Sequence, residues 1–335
     1  MEKKQSLIGW MVIWVLSIFL LIGINPAKGI CQEFKLVAGG AAPLGGEEDL
    51  AVREFCKEVT ELSKGRIKVE CFGPELGKHT QQIERVMAGT QQVYHGELIF
   101  LGNIQKDLNI YAAHYVFKDE DHVIRFFDSD RGRQIWKGLT EKSGIKALDY
   151  SGKRLRRVMV AKRPLKSLDD FKNLKMRVPE IPLYQKSWAH YGASTTRVAW
   201  GEMYLAIKTG LAEGHDGPVD AILATKTYEV APNMMMTYHN FCMTAVVINE
   251  KYFSQLPKDL QEVVIMAAKR SNQYLSNLRD EKKVVDKLKS LGVTIIDSED
   301  LREQLRKKAT ALMPQLEAED FWSKGLFEYA SKLRN

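Results

Sequence analysis

Leu174-Lys175-Met176-Arg177-Val178-Pro179-Glu180, followed by Tyr191-Gly192-Ala193-Ser194 and Ala199-Trp200-Gly201-Glu202-Met203-Tyr204, form the stretch on which the reading of this chain turns. Residues 175–178 read as a short strand, and Pro179 then fixes the direction of the chain. Arg177 is thereby presented at a strand end. Its planar guanidinium can hold a carboxylate through two parallel hydrogen bonds, a grip that lysine cannot reproduce. The other reading of such an arginine is a pair with an internal Asp or Glu. Helices are expected on either side of this motif's second half, at 183–191 and 201–209.

Upstream, Phe34 to Val37 reads as a strand and the glycine-rich run 39–46 as a loop. A helix opens at Glu47-Glu48-Asp49, where acidic residues suit the positive end of its dipole, and it stops near Gly65. Strands follow at 66–72 and about 92–99, with a helix at 80–88 between them. Further helices at 119–128 and 133–143 lead to a strand at 145–150 and a basic strand at 154–161. This alternation argues for α/β units and a largely parallel sheet. Downstream, 244–249 is a β-branched strand, and 257–291 reads as one unusually long helix, followed by a strand at 294–297. A helix of that length runs along or between domains. No flexible linker interrupts the chain, which points to two lobes joined by several crossings.

The chain has 335 residues, enough for two domains that each bury a core. Its formal charge of +7 is spread thinly, with no arginine or lysine block interleaved with aromatics, so nucleic acid is not an expected partner. A mild basic excess favours small anionic ligands. Residues 1–29 carry Lys3 and Lys4, an uncharged run from Leu7 to Ile24, and small residues at Ala27 and Gly29. That is the pattern of an export signal cleaved after Gly29, which places the protein in the periplasm; a retained membrane anchor is the alternative. Ile30 argues against a lipid anchor on Cys31. Cleavage leaves a body of charge +5 with no later segment apolar enough to cross a membrane.

Cys56 lies on the apolar stripe Val52, Phe55, Val59, Leu62, and Cys71 alternates with Ile67 and Val69, so both point toward one core. An oxidising compartment permits a bond between them; two buried thiols are the other reading. No C-x-x-C or zinc spacing occurs, and the seven histidines show no metal-ligand pattern. The glycine loop lacks both phosphate-binding spacings, and three acidic residues follow it. No nucleophile elbow or metalloprotease motif is present, so neither enzyme chemistry nor a cofactor is expected.

Taken in order, Lys162-Arg163-Pro164, Leu174-Lys175-Met176-Arg177-Val178-Pro179, Ala199-Trp200-Gly201-Glu202-Met203-Tyr204 and Gly210 to Pro218 resemble the DctP-type substrate-binding proteins of TRAP (tripartite ATP-independent periplasmic) transporters. Gly65-Arg66-Ile67-Lys68-Val69, Glu75-Leu76-Gly77 and Leu256-Pro257 extend the likeness over nearly the whole mature chain. The resemblance implies an α/β, two-lobed periplasmic-binding-protein-like fold: two mixed sheets flanked by helices, with a long lobe-spanning helix. The expected division is 30–153 plus about 243–283 for one lobe and 154–242 plus about 284–335 for the other.

The resemblance further implies that Arg177 clamps a ligand carboxylate and that Trp200 packs over the ligand. A second arginine is expected at Arg156, or at Arg157 if the register slips by one, since a single step turns the side chain to the other face. Glu97 and His79 are expected contacts from the first lobe. This chain departs from the family at Gly217, where an asparagine is common, and at Glu180 and Arg197, all expected around the pocket. The implied ligand is a small organic acid. The implied partners are integral-membrane transporter subunits served by a monomeric receptor. A sensor that hands the same ligand to a signalling receptor is the alternative.

Overall fold

The computed structural model describes residues 33–334, so the export-signal reading lies outside the described residues. Eleven strands form two sheets among these residues. The first contains β1 (Phe34–Gly39), β2 (Ile67–Phe72), β3 (Val93–Glu97), β4 (Ile145–Lys153) and β10 (Met243–Asn249), in the order β2-β1-β3-β10-β4. β1 runs parallel to β2 and β3, and β10 runs antiparallel to β3 and β4. The second contains β5 (Arg157–Ala161), β6 (Lys175–Val178), β7 (Ser194–Arg197), β8 (Gly214–Pro218), β9 (Asn233–Asn240) and β11 (Thr294–Ile296), in the order β11-β9-β5-β8-β6-β7. It too is mixed: β5 is antiparallel to both neighbours, whereas β6 is parallel to β7 and β8. The largely parallel sheet suggested by local alternation is therefore replaced by two mixed ones, because β5 and β10 each arrive from the opposite lobe.

β8 has no counterpart in the sequence reading. Gly214-His215-Asp216-Gly217-Pro218 is poor in β-formers, yet all five residues are buried in mid-sheet. Tertiary context overrides propensity here. A Cβ at Gly214 would lie 2.6 Å from the Val160 carbonyl oxygen, so only glycine lets β5 and β8 approach this closely.

The helix Glu47–Leu62 buries Ala51, Val52, Phe55, Cys56 and Val59 along one face, packed on β2, β3 and the helix Lys258–Asn277. Cys56 and Cys71 are bonded, tying this helix to β2 across a Cα separation of 6.1 Å. The expected single helix over 257–291 is two helices instead. Lys258–Asn277 lies on the first sheet, with Leu260, Val264, Ala267, Ala268 and Leu275 buried. The chain then breaks at 278–280, and Asp280 caps a new helix, Glu281–Ser290, by accepting from the Lys283 amide at 2.9 Å. Its Leu288 enters the core of the second sheet. The segment does cross between lobes, but through a capped break rather than a rigid rod.

Two strand connections cross beside it, Arg154-Leu155-Arg156 from β4 to β5 and Phe241-Cys242 from β9 to β10. The Arg154 amide donates to the Cys242 carbonyl at 2.8 Å, tying the crossings together. The helix Glu299–Ala318 covers the second sheet through Leu301, Leu305, Ala309 and Leu312. The final helix, Leu326–Lys332, departs from the expected lobe assignment. It packs against the helix Glu120–Asp128, where His122 Nε2 lies 2.8 Å from the Ala330 carbonyl and Tyr329 meets Phe126 edge to face. An apolar face on Leu326 and Ala330 finds its partner in the first lobe. No helix among the described residues is long and apolar enough to cross a membrane.

Candidate functional site

The strand ends of the two sheets face each other across a cleft, and the charged side chains there come from β3, β5, β6, β8, the first crossing and the helices Glu47–Leu62 and Val219–Ala224. Arg177 sits on β6 and is almost wholly buried, at 1% exposure. Its Nε donates to the Val198 carbonyl at 2.9 Å, while Nη1 is buried with no partner among the described residues. Burial, with Arg157 nearby, pushes its pKa down to about 10 despite the attraction of Asp216 and Glu97. The guanidinium lies 5.6 Å from the ring of Trp200, which is half-buried on the same lobe. Together with His79, Phe100, Lys78 and Glu180 they line a cavity of about 220 Å³.

His79 is fixed rather than free. Its Nδ1 lies 2.8 Å from the Tyr94 hydroxyl and its ring stacks on Phe100 at 4.2 Å. Burial pushes its pKa down to about 4, so the imidazole is neutral at pH 7. Gly217, on β8, lies beneath Trp200: a Cβ there would sit 3.5 Å from Trp200 Cη2. The missing side chain leaves that floor to the indole.

The second arginine is Arg157, not Arg156. Residues 154–156 form the crossing, and strand alternation begins only at Arg157, which turns inward. Its Nε donates to Asp216 Oδ2 at 2.8 Å and its Nη1 to Glu97 Oε2 at 2.7 Å. Arg156 turns to the far side, its guanidinium 3.5 Å above the Tyr238 ring. Glu97 stands at the end of β3 as expected, but both of its oxygens are engaged by arginines, the second by Arg154 Nη1 at 3.2 Å. Burial raises its pKa, and Arg157 and Arg154 outweigh that to hold it below its ordinary value.

Arg197 lies outside the cleft. It ends β7, the exposed edge strand of the second sheet, and lines neither cleft cavity. Glu180 sits at the mouth, where it accepts from Lys78 Nζ and Thr80 Oγ1, each at 3.3 Å, and its carbonyl accepts from Asn103. It thus joins the second lobe to the first.

Sequence reasoning missed Arg154, Glu48, Asp216 and Asp220. Arg154 bridges the lobes, donating to Glu48 at 2.8 Å, to Glu97, and through Nε to Asp220 at 3.2 Å. Asp216, fully buried, accepts from Arg157 and lies 3.3 Å from His239 Nε2. Burial opposes its ionisation, yet the Arg157 guanidinium and the His239 contact hold its pKa well below the carboxylate range. No local signal marked Asp216, because residues 214–218 do not read as a strand; buried there, its charge is tolerated only because it is paired.

A smaller hollow of about 20 Å³ adjoins the first, sharing His79 and Trp200 and lined by Glu47, Glu48 and Asp220. Glu47 Oε2, Glu48 Oε1 and Asp220 Oδ1 are buried there without partners among the described residues. Burial and neighbouring carboxylates push Glu48 up to about 8, and burial with Asp220 pushes Glu47 up to about 7. The cleft therefore has a cationic end at Arg177 and a hydrogen-bonding acidic end. No cluster of metal-ligand type occurs among the described residues.

A sequence profile of the bacterial extracellular solute-binding proteins, family 7 (DctP), matches residues 40–320. The chain is 27% identical over 293 residues to the sialic acid-binding periplasmic protein SiaP of Vibrio cholerae, covering 85% of this chain and 90% of that one. It is 29% identical over 290 residues to a solute-binding protein of Roseobacter denitrificans, covering 85% and 88%. The crystal structure of a TRAP periplasmic solute-binding protein from R. denitrificans with bound L-galactonate matches with a TM-score of 0.80 at 26% identity, over 91% of this chain and 99% of that one. Another from the same organism, with bound β-D-glucuronate, has a TM-score of 0.83 at 22% identity, over 89% and 99%, a likeness of fold. These relatives are receptors of transporters, not enzymes. The chain accordingly belongs to the DctP family of solute-binding proteins that serve TRAP transporters.

Proposed function

We propose that this protein captures a small hydroxylated organic acid in the cleft and delivers it, in the periplasm, to the integral-membrane subunits of a TRAP transporter. The single observation that carries the reading is Arg177: a buried, charged guanidinium with Nη1 unpartnered, lining a cavity of ligand size. A ligand carboxylate supplies the missing anion, and burial strengthens the pair because little water screens it. Trp200 covers the bound molecule, and Glu180 with Lys78 closes the mouth. At the other end, the unpartnered oxygens of Glu47, Glu48 and Asp220 exchange hydrogen bonds with ligand hydroxyls. Sugar acids fit this pairing of one carboxylate with several hydroxyls. Two family structures of 25–26% identity hold L-galactonate and sn-glycerol-3-phosphate, both small hydroxylated anions.

Lobe closure around the ligand selects the shape offered to the membrane partner. A thermal-shift screen of residues 30–335 against aldonates, uronates, dicarboxylates and amino acids tests the reading. Saturation at about 100 times the dissociation constant adds ~2.7 kcal/mol, a shift of several degrees. Hits among sugar acids that vanish in Arg177→Met support it. A silent panel of acids, or hits indifferent to Arg177, overturns it.

A further inference from the structure

A hollow of about 510 Å³, larger than either cleft cavity described above, lies on the far side of the crossings. Arg156 lines it from the first crossing, while Arg157, at the start of β5, turns the other way to pair with Asp216 and Glu97. Its guanidinium lies flat on Tyr238, and no carboxylate of the described residues reaches it. Lys118 and Arg334 enter from the first lobe, and neither is paired with a carboxylate among the described residues. Arg334 Nη2 donates instead to the Tyr115 and Val116 carbonyls, at 3.2 and 2.9 Å. Arg302 and Arg306 enter from the helix Glu299–Ala318, with their rim partners Asp297, Glu299 and Glu303. Among the described residues, Glu299 is the one carboxylate that lines the hollow. Glu281 lies nearby and accepts from the Tyr238 hydroxyl.

We infer that this hollow binds a multivalent oxyanion, a phosphate-bearing or polycarboxylate small molecule. Three cations face one space without a carboxylate of their own, and two more stand on its rim. Guanidinium groups are suited to such anions because their planar forks donate paired hydrogen bonds to oxyanions. Arg156 is also held in place by Tyr238, so less side-chain freedom is lost when it binds. The aromatic walls Tyr115, Phe117 and Phe241 leave room for a body beyond the charged head. The site shares no lining residue with the cavity at Arg177.

The test is calorimetry on residues 30–335 with pyrophosphate and, separately, citrate, at fixed ionic strength set by sodium chloride. Binding of either is expected. Arg156→Gln is expected to weaken it by about tenfold or more, the effect of losing one charge-assisted hydrogen bond. Arg306→Gln, an exposed position, provides a second variant should the first fold poorly, and is expected to weaken binding severalfold. Arg270→Gln, on the outer face of the first lobe, should leave it unchanged. Tighter pyrophosphate assigns the site to phosphate compounds; tighter citrate assigns it to polycarboxylates. Heat that is equal in Arg156→Gln and Arg306→Gln, that disappears in Arg177→Met, or that chloride alone reproduces would overturn the assignment.

Discussion

Replacing Arg177 by methionine separates an arginine kept for ligand from one kept for the fold. The side chain makes one hydrogen bond to the protein, to the Val198 carbonyl, and is otherwise an uncompensated buried charge. Its pKa is pushed down to about 10, chiefly by burial, so at neutral pH the folded protein carries the charge at a cost of about 3 kcal/mol. Arg177→Met removes that cost and the single hydrogen bond, which contributes ~0.5–1.5 kcal/mol. The empty protein should therefore unfold in urea at an unchanged or higher midpoint. Affinity for the carboxylate ligand should fall by ~2–5 kcal/mol, the range for truncating one member of a buried charge pair. Calorimetry gives the second quantity and urea unfolding without ligand the first. A variant that loses 2 kcal/mol or more of stability while binding as well as the parent would refute the reasoning and make Arg177 a structural residue.

Arg157→Leu should behave in the opposite way: it leaves Asp216 without its arginine and Glu97 with Arg154 alone, both in the interior, and should cost ~3–5 kcal/mol in urea unfolding, ligand or no ligand. The pH dependence of stability should carry the mark of Glu48. Its folded pKa of about 8 stands above the ordinary 4.5, so the folded state holds the proton more tightly, and the stability this lends is lost as pH rises toward 8. Melting temperatures between pH 5 and 9 should fall more steeply for the parent than for Glu48→Gln; parallel curves would remove Glu48 as the source. Replacing Cys56 and Cys71 together by alanine should lower stability by about 3 kcal/mol, the loop-entropy estimate for a closure of this size, read from urea midpoints under non-reducing conditions.

The residues that were legible in the chain are those whose surroundings are local. Arg177 is read from a four-residue strand and the proline after it, His79 and Glu97 from their places at element ends, and Trp200 from the family resemblance of its motif; all four line the cleft cavities. What could not be read is parity and partnership. Arg154-Leu155-Arg156 looks like the start of a strand, but the two-residue alternation begins at Arg157, so counting from 154 assigns the wrong face to Arg156. Asp216 sits in a strand that its own composition argues against, and it meets an arginine 59 residues earlier. Arg197 carries charge near the motif, yet it ends an edge strand facing solvent. At 278–280 the apolar periodicity runs on without interruption, and only the capping preference of Asp280 betrays the break.

Arg154 holds Glu48 and Glu97 of one lobe and Asp220 of the other, so the surfaces that meet when the cleft shuts are ionic. Apolar faces of the same area would adhere, since parting them exposes surface that water does not solvate well. Charged faces part differently: each group set free is taken up by water, whose favourable hydration nearly balances the attraction lost. Shutting and opening are then separated by a small free-energy difference that one bound anion can tip. A receptor that must release its cargo at every cycle gains from an inner surface that grips but does not stick.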